Sequence, residues 1–167
     1  MIHFTSDTHF GHKNIIKYCN RPFSSVEEMD STLINNWNSV VKSDDLVYHL
    51  GDFAPFHKNP VIYKNQLNGN IILIKGNHDS QEQNLHTIFN IIKDIISIQL
   101  YDSSIVMCHY PNPRHPDTSK KLKILRESGS LFLFGHCHGT FKLQNCIDVG
   151  VDSHNFFPIT LEKILSI

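Results

Sequence analysis

Ile71-Ile72-Leu73-Ile74-Lys75-Gly76-Asn77-His78-Asp79 is the stretch that decides how this chain folds. An almost wholly apolar run without period-two alternation reads as a strand buried on both faces. It stops at a glycine turn that carries an amide, an imidazole and a carboxylate. Outward from it the same arrangement recurs. Ile2–Ser6 runs into Asp7-Thr8-His9, and Leu46–Leu50 into Gly51-Asp52. Downstream, Ile105–His109 ends on its histidine, and Leu131–Phe134 leads into Gly135-His136-Cys137-His138. Polar groups placed after successive strands converge on the carboxyl edge of an open α/β sheet, where ligands sit. The i, i+2 spacing of Asp7 and His9, and of His136 and His138, predicts an extended segment that points both side chains the same way.

Between these strands lie helix signals. Ser25 followed by Glu28 predicts a capping box, with Val26, Met29, Leu33, Trp37 and Val40 at helical spacing up to about Val41. Pro60–Leu67 opens on proline and closes before Asn68-Gly69, as a short helix does. Ser80–Ile92 is expected to be helical, and a basic helix is expected over Ser119–Glu127. Ile95–Tyr101 and Ile105–His109 read as a hairpin or two close strands, and Thr140–Leu143, Cys146–Gly150 and Phe157–Leu161 as short strands. Strands alternating with helices, then mainly strands, predict an α/β fold of two packed sheets with helices outside. At 167 residues, one domain over 1–167 is expected.

Composition narrows the function. Lys plus Arg number 15 and Asp plus Glu 16, a formal charge of −1, which argues against holding nucleic acid or an anionic membrane by bulk charge. The four cysteines (19, 108, 137 and 146) form no CxxC pair. With no signal peptide and no apolar run long enough to span a membrane, a reduced, cytoplasmic protein is expected. The unusual count is 12 His. The Asp, Asn and His residues that follow strands are too many for one tetrahedral zinc, and they suffice for two ions sharing a bridging carboxylate. Mixed imidazole and carboxylate donors suit Mn, Fe, Zn, Co or Ni better than Ca or Mg. Two such ions about 3.5–4 Å apart can clamp a phosphate oxygen and generate hydroxide between them, which is hydrolytic chemistry.

In this order, Asp7-x-His9, Gly51-Asp52, Gly76-Asn77-His78-Asp79, His109 and Gly135-His136-x-His138 resemble the five blocks of the calcineurin-like metallophosphoesterase family. The opening Ser6-Asp7-Thr8-His9-Phe10-Gly11-His12 and the closing Asp148-Val149-Gly150-Val151-Asp152 resemble its small, compact bacterial and phage members. The resemblance implies a four-layer α/β/β/α sandwich of two mixed sheets. It implies Asp7, His9 and His138 on a first divalent ion, Asn77, His109 and His136 on a second, and Asp52 bridging both. The ions are expected to be Mn first, with Fe, Zn, Ni or Co as substitutes. His78 is implied as the histidine that donates a proton to the leaving oxygen or contacts the phosphate, with Asp79 as its orienting partner. Asp52 is followed by Phe53-Ala54-Pro55-Phe56 rather than the Asp and Arg of the family's protein phosphatases, which counts against that role.

Beyond the blocks, His12 is a candidate substrate contact, against a surface or capping role. Arg21 is a candidate phosphate or base contact, against a loop salt bridge. Arg114, a candidate substrate contact, belongs to a basic patch with Lys120, Lys121, Lys123 and Arg126 that reads as a solvated helix face or, alternatively, a nucleic-acid surface. His3 and His49 read as structural, and Trp37 as core. The expected function is a dinuclear metal-dependent phosphoesterase, with a phosphodiesterase on small or nucleotide substrates favoured. A nuclease on DNA or RNA ends, a phosphomonoesterase and a non-catalytic scaffold are the alternatives.

Overall fold

The computed structural model describes residues 1–55, 58–79, 85–89, 91–100, 103–111, 123, 130–142 and 145–166. Strands β1 (Ile2–Thr5), β2 (Leu46–His49), β3 (Asn70–Ile74) and β4 (Ile91–Lys93) pair in parallel, and β9 (Ile159–Thr160) adds to β1 antiparallel. The order of this mixed sheet is β4-β3-β2-β1-β9. The second sheet, β5-β6-β7-β8, holds Ile95–Leu100 and Ser103–Cys108 as an antiparallel hairpin, then Leu131–Phe134 and Cys146–Asp148 in parallel.

The two sheets pack face to face. Phe4, Tyr48, Leu50 and Ile74 from the first meet Ile105, Met107 and Leu133 from the second in one buried cluster. Helix α2 (Val26–Val40) covers the outer face of the first sheet, because its apolar residues fall on one stripe. Met29, Leu33 and Trp37 are buried there against Val47, Ile71 and Leu73. Each such side chain contributes about 1.5–3 kcal/mol of apolar burial. Ser25 Oγ accepts from the Glu28 N–H at 3.1 Å, while Glu28 reaches back to Ser24 N at 2.8 Å, one residue beyond a regular capping box. The outer face of the second sheet, with Val106, Cys108, Phe132 and Phe134, is buried as well. This is an α/β fold of two packed mixed sheets with helices.

Two local expectations change, and a third falls outside the described residues. Of Ser80–Ile92, Leu85–Ile88 alone among the described residues is helical (α4), and Ile91–Lys93 is an edge strand in register with Ile72–Ile74. Ile91 and Ile92 are β-branched and suit a pleated edge, a choice that periodicity cannot make for so short an apolar run. Thr140–Lys142 form no strand, because Thr140 turns back to donate both its N–H and its hydroxyl to the Cys137 carbonyl. The expected basic helix lies, apart from Lys123, outside the described residues. Helix α3 (Pro60–Lys64) follows the expected start, whereas α1 (Lys13–Tyr18) and α5 (Leu161–Leu165) are additions that the sequence pattern does not announce.

Candidate metal centre

β1, β2 and β3 are parallel neighbours, so Asp7, Asp52 and Asn77 leave one edge of the first sheet together. His109 and His136 leave β6 and β7, also parallel, at the same end of the second. An isolated parallel bridge between Ser6 and Gly150, and the Val151 N–H on the Ser6 carbonyl at 3.0 Å, tie the two edges together. The site therefore sits on the seam between the sheets.

The backbone of this seam is not extended. Asp7 (φ 59°), His9 (φ 50°), Asp52 (φ 56°), His136 (φ 70°) and His138 (φ 47°) all occupy the left-handed region. Each costs about 1–3 kcal/mol for a residue other than glycine, and such residues gather where geometry serves function. The i, i+2 pairs thus reach one centre through left-handed bends, which corrects the extended arrangement expected from spacing. Glycine makes the room: a Cβ on Gly135 would stand 2.7 Å from Asp7 Oδ2, and one on Gly76 would stand 2.6 Å from the Asp52 nitrogen.

The ligating atoms assemble in two triads. Asp7, His9 and His138 form one and Asp52, His109 and His136 the other, with the ligand atoms of each triad within 4.8 Å of one another. Asp52 Oδ2 lies 3.5 Å from His9 Nε2 and 3.6 Å from His109 Nε2, between the triads. Asn77 Oδ1 stands 3.3 Å from His109 Nε2. The floor (Asp7, His9, Asp52 and His109) is buried, while Asn77 and His136 are exposed and the His78 side chain is 32% exposed, so one side faces solvent.

The surrounding groups aim these donors. His109 Nδ1–H donates to the Leu50 carbonyl at 2.7 Å, and His138 Nδ1–H to Asp152 Oδ2 at 2.6 Å, so both present Nε2 to the centre. The His78 N–H holds Asp52 Oδ1 at 2.9 Å, which leaves Oδ2 for the centre. His9 Nε2 is buried without a hydrogen bond. Burial pushes the Asp7 carboxyl up to about 7, and burial with Asp7 nearby pushes Asp52 up to about 8. Burial also lowers His9 well below its ordinary value and His109 to about 3. The neutral imidazoles of His9 and His109, beside carboxylates that burial drives to protonate, suit divalent cations, whose charge reverses that pressure. The donor set fits metal ions.

Other residues fall elsewhere than the sequence suggests. Arg21 is buried, bidentate to Asp152 at 2.8 and 2.8 Å, and donates to the Asp7 and Thr8 carbonyls at 2.6 and 3.1 Å. Its donors are taken up by the fold, and its expected role as a substrate contact gives way to the loop salt bridge. Asp79 does not orient His78. Its carboxylate accepts the N–H groups of Asp52 (2.6 Å), Phe53 (3.0 Å) and Gly76 (3.0 Å), tying the second block to the third. His49 bridges in the same way: the Gly51 N–H donates to Nδ1 at 3.3 Å, and Nε2 meets Thr8 Oγ1 at 3.0 Å. His12 stands at the rim, its ring 5.4 Å from those of His9 and His78. Arg114 lies outside the described residues. The pairing of Asp152 with His138 has no local sequence signal, and only the place of Asp152 in the closing motif marks it.

A family model described as the calcineurin-like phosphoesterase superfamily domain matches residues 1–149. An uncharacterized protein of Methanocaldococcus jannaschii is 36% identical over 178 residues, spanning 99% of this chain and 90% of that one. The gene 66 protein of Mycobacterium phage L5 is 29% identical, spanning 90% and 86%. Among solved structures, a protein of unknown function from Aquifex aeolicus superposes with a TM-score of 0.80 at 29% identity, covering 99% of this chain and 98% of that one. Among the described residues, no helix is long and apolar enough to cross a membrane.

Proposed function

The chain belongs to the calcineurin-like phosphoesterase superfamily, and from that premise we propose that it is a dinuclear metal-dependent phosphodiesterase acting on small or nucleotide esters. The observation that carries this reading is the pair of triads joined by Asp52 Oδ2, 3.5 Å from His9 on one side and 3.6 Å from His109 on the other. Asp7, His9 and His138 would hold one ion, Asn77, His109 and His136 the other, and Asp52 both. When bound, two such ions polarise phosphate oxygens and supply an activated water as nucleophile.

This chain's own residues do the rest. Asp52 fixes the spacing of the two halves, and its position is set by the His78 N–H and, through the Asp52 backbone, by Asp79. His78 lies on the open side with Nε2 4.0 Å from Asp52 Oδ2, beyond hydrogen-bond reach of that carboxylate. There its ring can hold the proton that the departing ester oxygen needs. His12, beside His78, contacts the substrate's outer oxygens. The solvent-facing side formed by Asn77, His78 and His136 leaves space for both arms of a diester, which favours diesters over monoesters.

The test is a screen of mono-, di- and cyclic phosphate esters with manganese-loaded protein. Diester hydrolysis that collapses in both Asp52→Asn and His78→Ala is expected. Wild-type rates in both variants contradict the assignment.

A further inference from the structure

Tyr18 closes helix α1, the short helix that follows the first block. It is 72% exposed, more than Met1 (61%) or Ile62 (59%), and so the most exposed large apolar side chain among the described residues. Its position is specific. His12, the N-cap residue of α1, has its ring perpendicular to that of Tyr18, with centroids 6.4 Å apart and an interplanar angle of 83°. His12 in turn lies 5.4 Å from His9. The rings of His9, His12 and Tyr18 thus form a row leading outward from the first triad into solvent.

The second triad has an aromatic neighbour too. Tyr110, half-buried, packs its ring 4.7 Å from His109 and 4.9 Å from His136. A phosphate held between the triads therefore has an aromatic wall at each end, one enclosed and one open. An exposed aromatic ring at the end of such a row offers a π-surface to a planar ring.

We propose that Tyr18 is a specificity-determining platform on which the planar aromatic group of the substrate, of the nucleobase class, stacks while its phosphate lies between the triads. The inference rests on the phosphoesterase reading and deepens it by naming the substrate class. The row from His9 through His12 to Tyr18 is stepped on the scale of the ribose that separates phosphate from base in a nucleotide. His12 stays with the phosphate, and Tyr18 takes the base.

The experiment is calorimetric titration of manganese-loaded protein with adenosine monophosphate, as its 3′ and 5′ isomers, and with ribose 5-phosphate. These ligands share a phosphate and a ribose, and only the first pair carries a base. At least one adenosine isomer should bind about tenfold more tightly than ribose 5-phosphate. Tyr18→Ala should shrink that ratio below about twofold while leaving ribose 5-phosphate unchanged, and Tyr18→Phe or Tyr18→Trp should preserve it. Equal affinities in the wild type, or a ratio that survives Tyr18→Ala, overturn the platform and leave the phosphoesterase reading standing. Failure of every phosphate to bind to protein that carries its ions overturns both.

Discussion

Strand β1 has a buried histidine–aspartate group at each end, and the two behave in opposite ways. At its start, Asp45 accepts from the terminal ammonium of Met1, from His3 Nε2 at 3.1 Å and from the Lys42 N–H at 2.9 Å. The ammonium and the Lys42 amide hold its carboxyl well below the usual range. At the far end, Asp7 and Asp52 are pushed up to about 7 and 8. An unpartnered imidazole nitrogen does not separate the two groups, since His3 Nδ1 and His9 Nε2 are both buried without a partner. The carboxylates do. The chain supplies the positive charge at one end and leaves it to be supplied at the other. Equal residue types thus mark a structural knot and a cation site, and the local donors decide which is which.

The strongest way to break this contrast is Asp52→Asn. It should lower turnover about 10⁴-fold, since it removes the carboxylate proposed to bridge the two ions. Yet the metal-free variant should unfold at the same or a higher temperature than metal-free wild type, because one of two buried, mutually repelling carboxylates is gone. Asp45→Asn should do the reverse, leaving turnover intact and lowering stability. Its cost should shrink as the pH falls below about 4, where the unfolded carboxylate protonates while the folded one has not. His78→Ala should lower kcat by about 10²-fold, toward the low end for a proton donor because water can reach its place, with metal content unchanged.

A further variant probes the support of a ligand. Arg21 and His138 together keep the Asp152 carboxyl below its ordinary value against the cost of its burial. Asp152→Asn should weaken binding of one of the two ions by about 10–100-fold and spare the other, read by titration of metal-free protein. The contrast also has a pH signature. In metal-free protein, Asp7 and Asp52 keep protons from about pH 4, where the unfolded carboxylates lose them, to about 7 and 8, so the stability they contribute should fall across that range and level off above it. His138 works in the same direction: burial opposes its charge, but Asp152 and Cys19 raise it to about 10. His9 and His109 oppose this below about pH 6.5, where their unfolded imidazoles are charged and the folded ones neutral, and add nothing above it. Bound ions should abolish the slope, measured as melting temperature against pH.

Much of the fold and of the centre is legible in the sequence alone. The apolar runs of β3 and β7, and the shorter apolar stretches of β1 and β2, announce these strands, and the polar residues directly after them announce the centre, because both signals are local. The pairing of Arg21 is not legible in this way. Its partner Asp152 is 131 residues away, and nothing near Arg21 chooses between a carboxylate and a substrate. Nor are the left-handed bends at Asp7, His9 and Asp52, since such conformations are imposed by surroundings rather than favoured by the residue. The role of Asp79 escapes for a related reason. Adjacency in sequence suggests His78, whereas the carboxylate turns inward to backbone N–H groups of two loops. Ile91 and Ile92 read as the end of a helix because a short apolar run fits both periods until β3 offers them hydrogen bonds.

The most direct test of the central claim is elemental analysis of protein loaded with manganese and freed of excess, paired with its rate on a diester before and after chelation. The account predicts two ions per chain and hydrolysis that disappears with them. Protein that retains no ions, or that hydrolyses the diester equally well after they are removed, contradicts it.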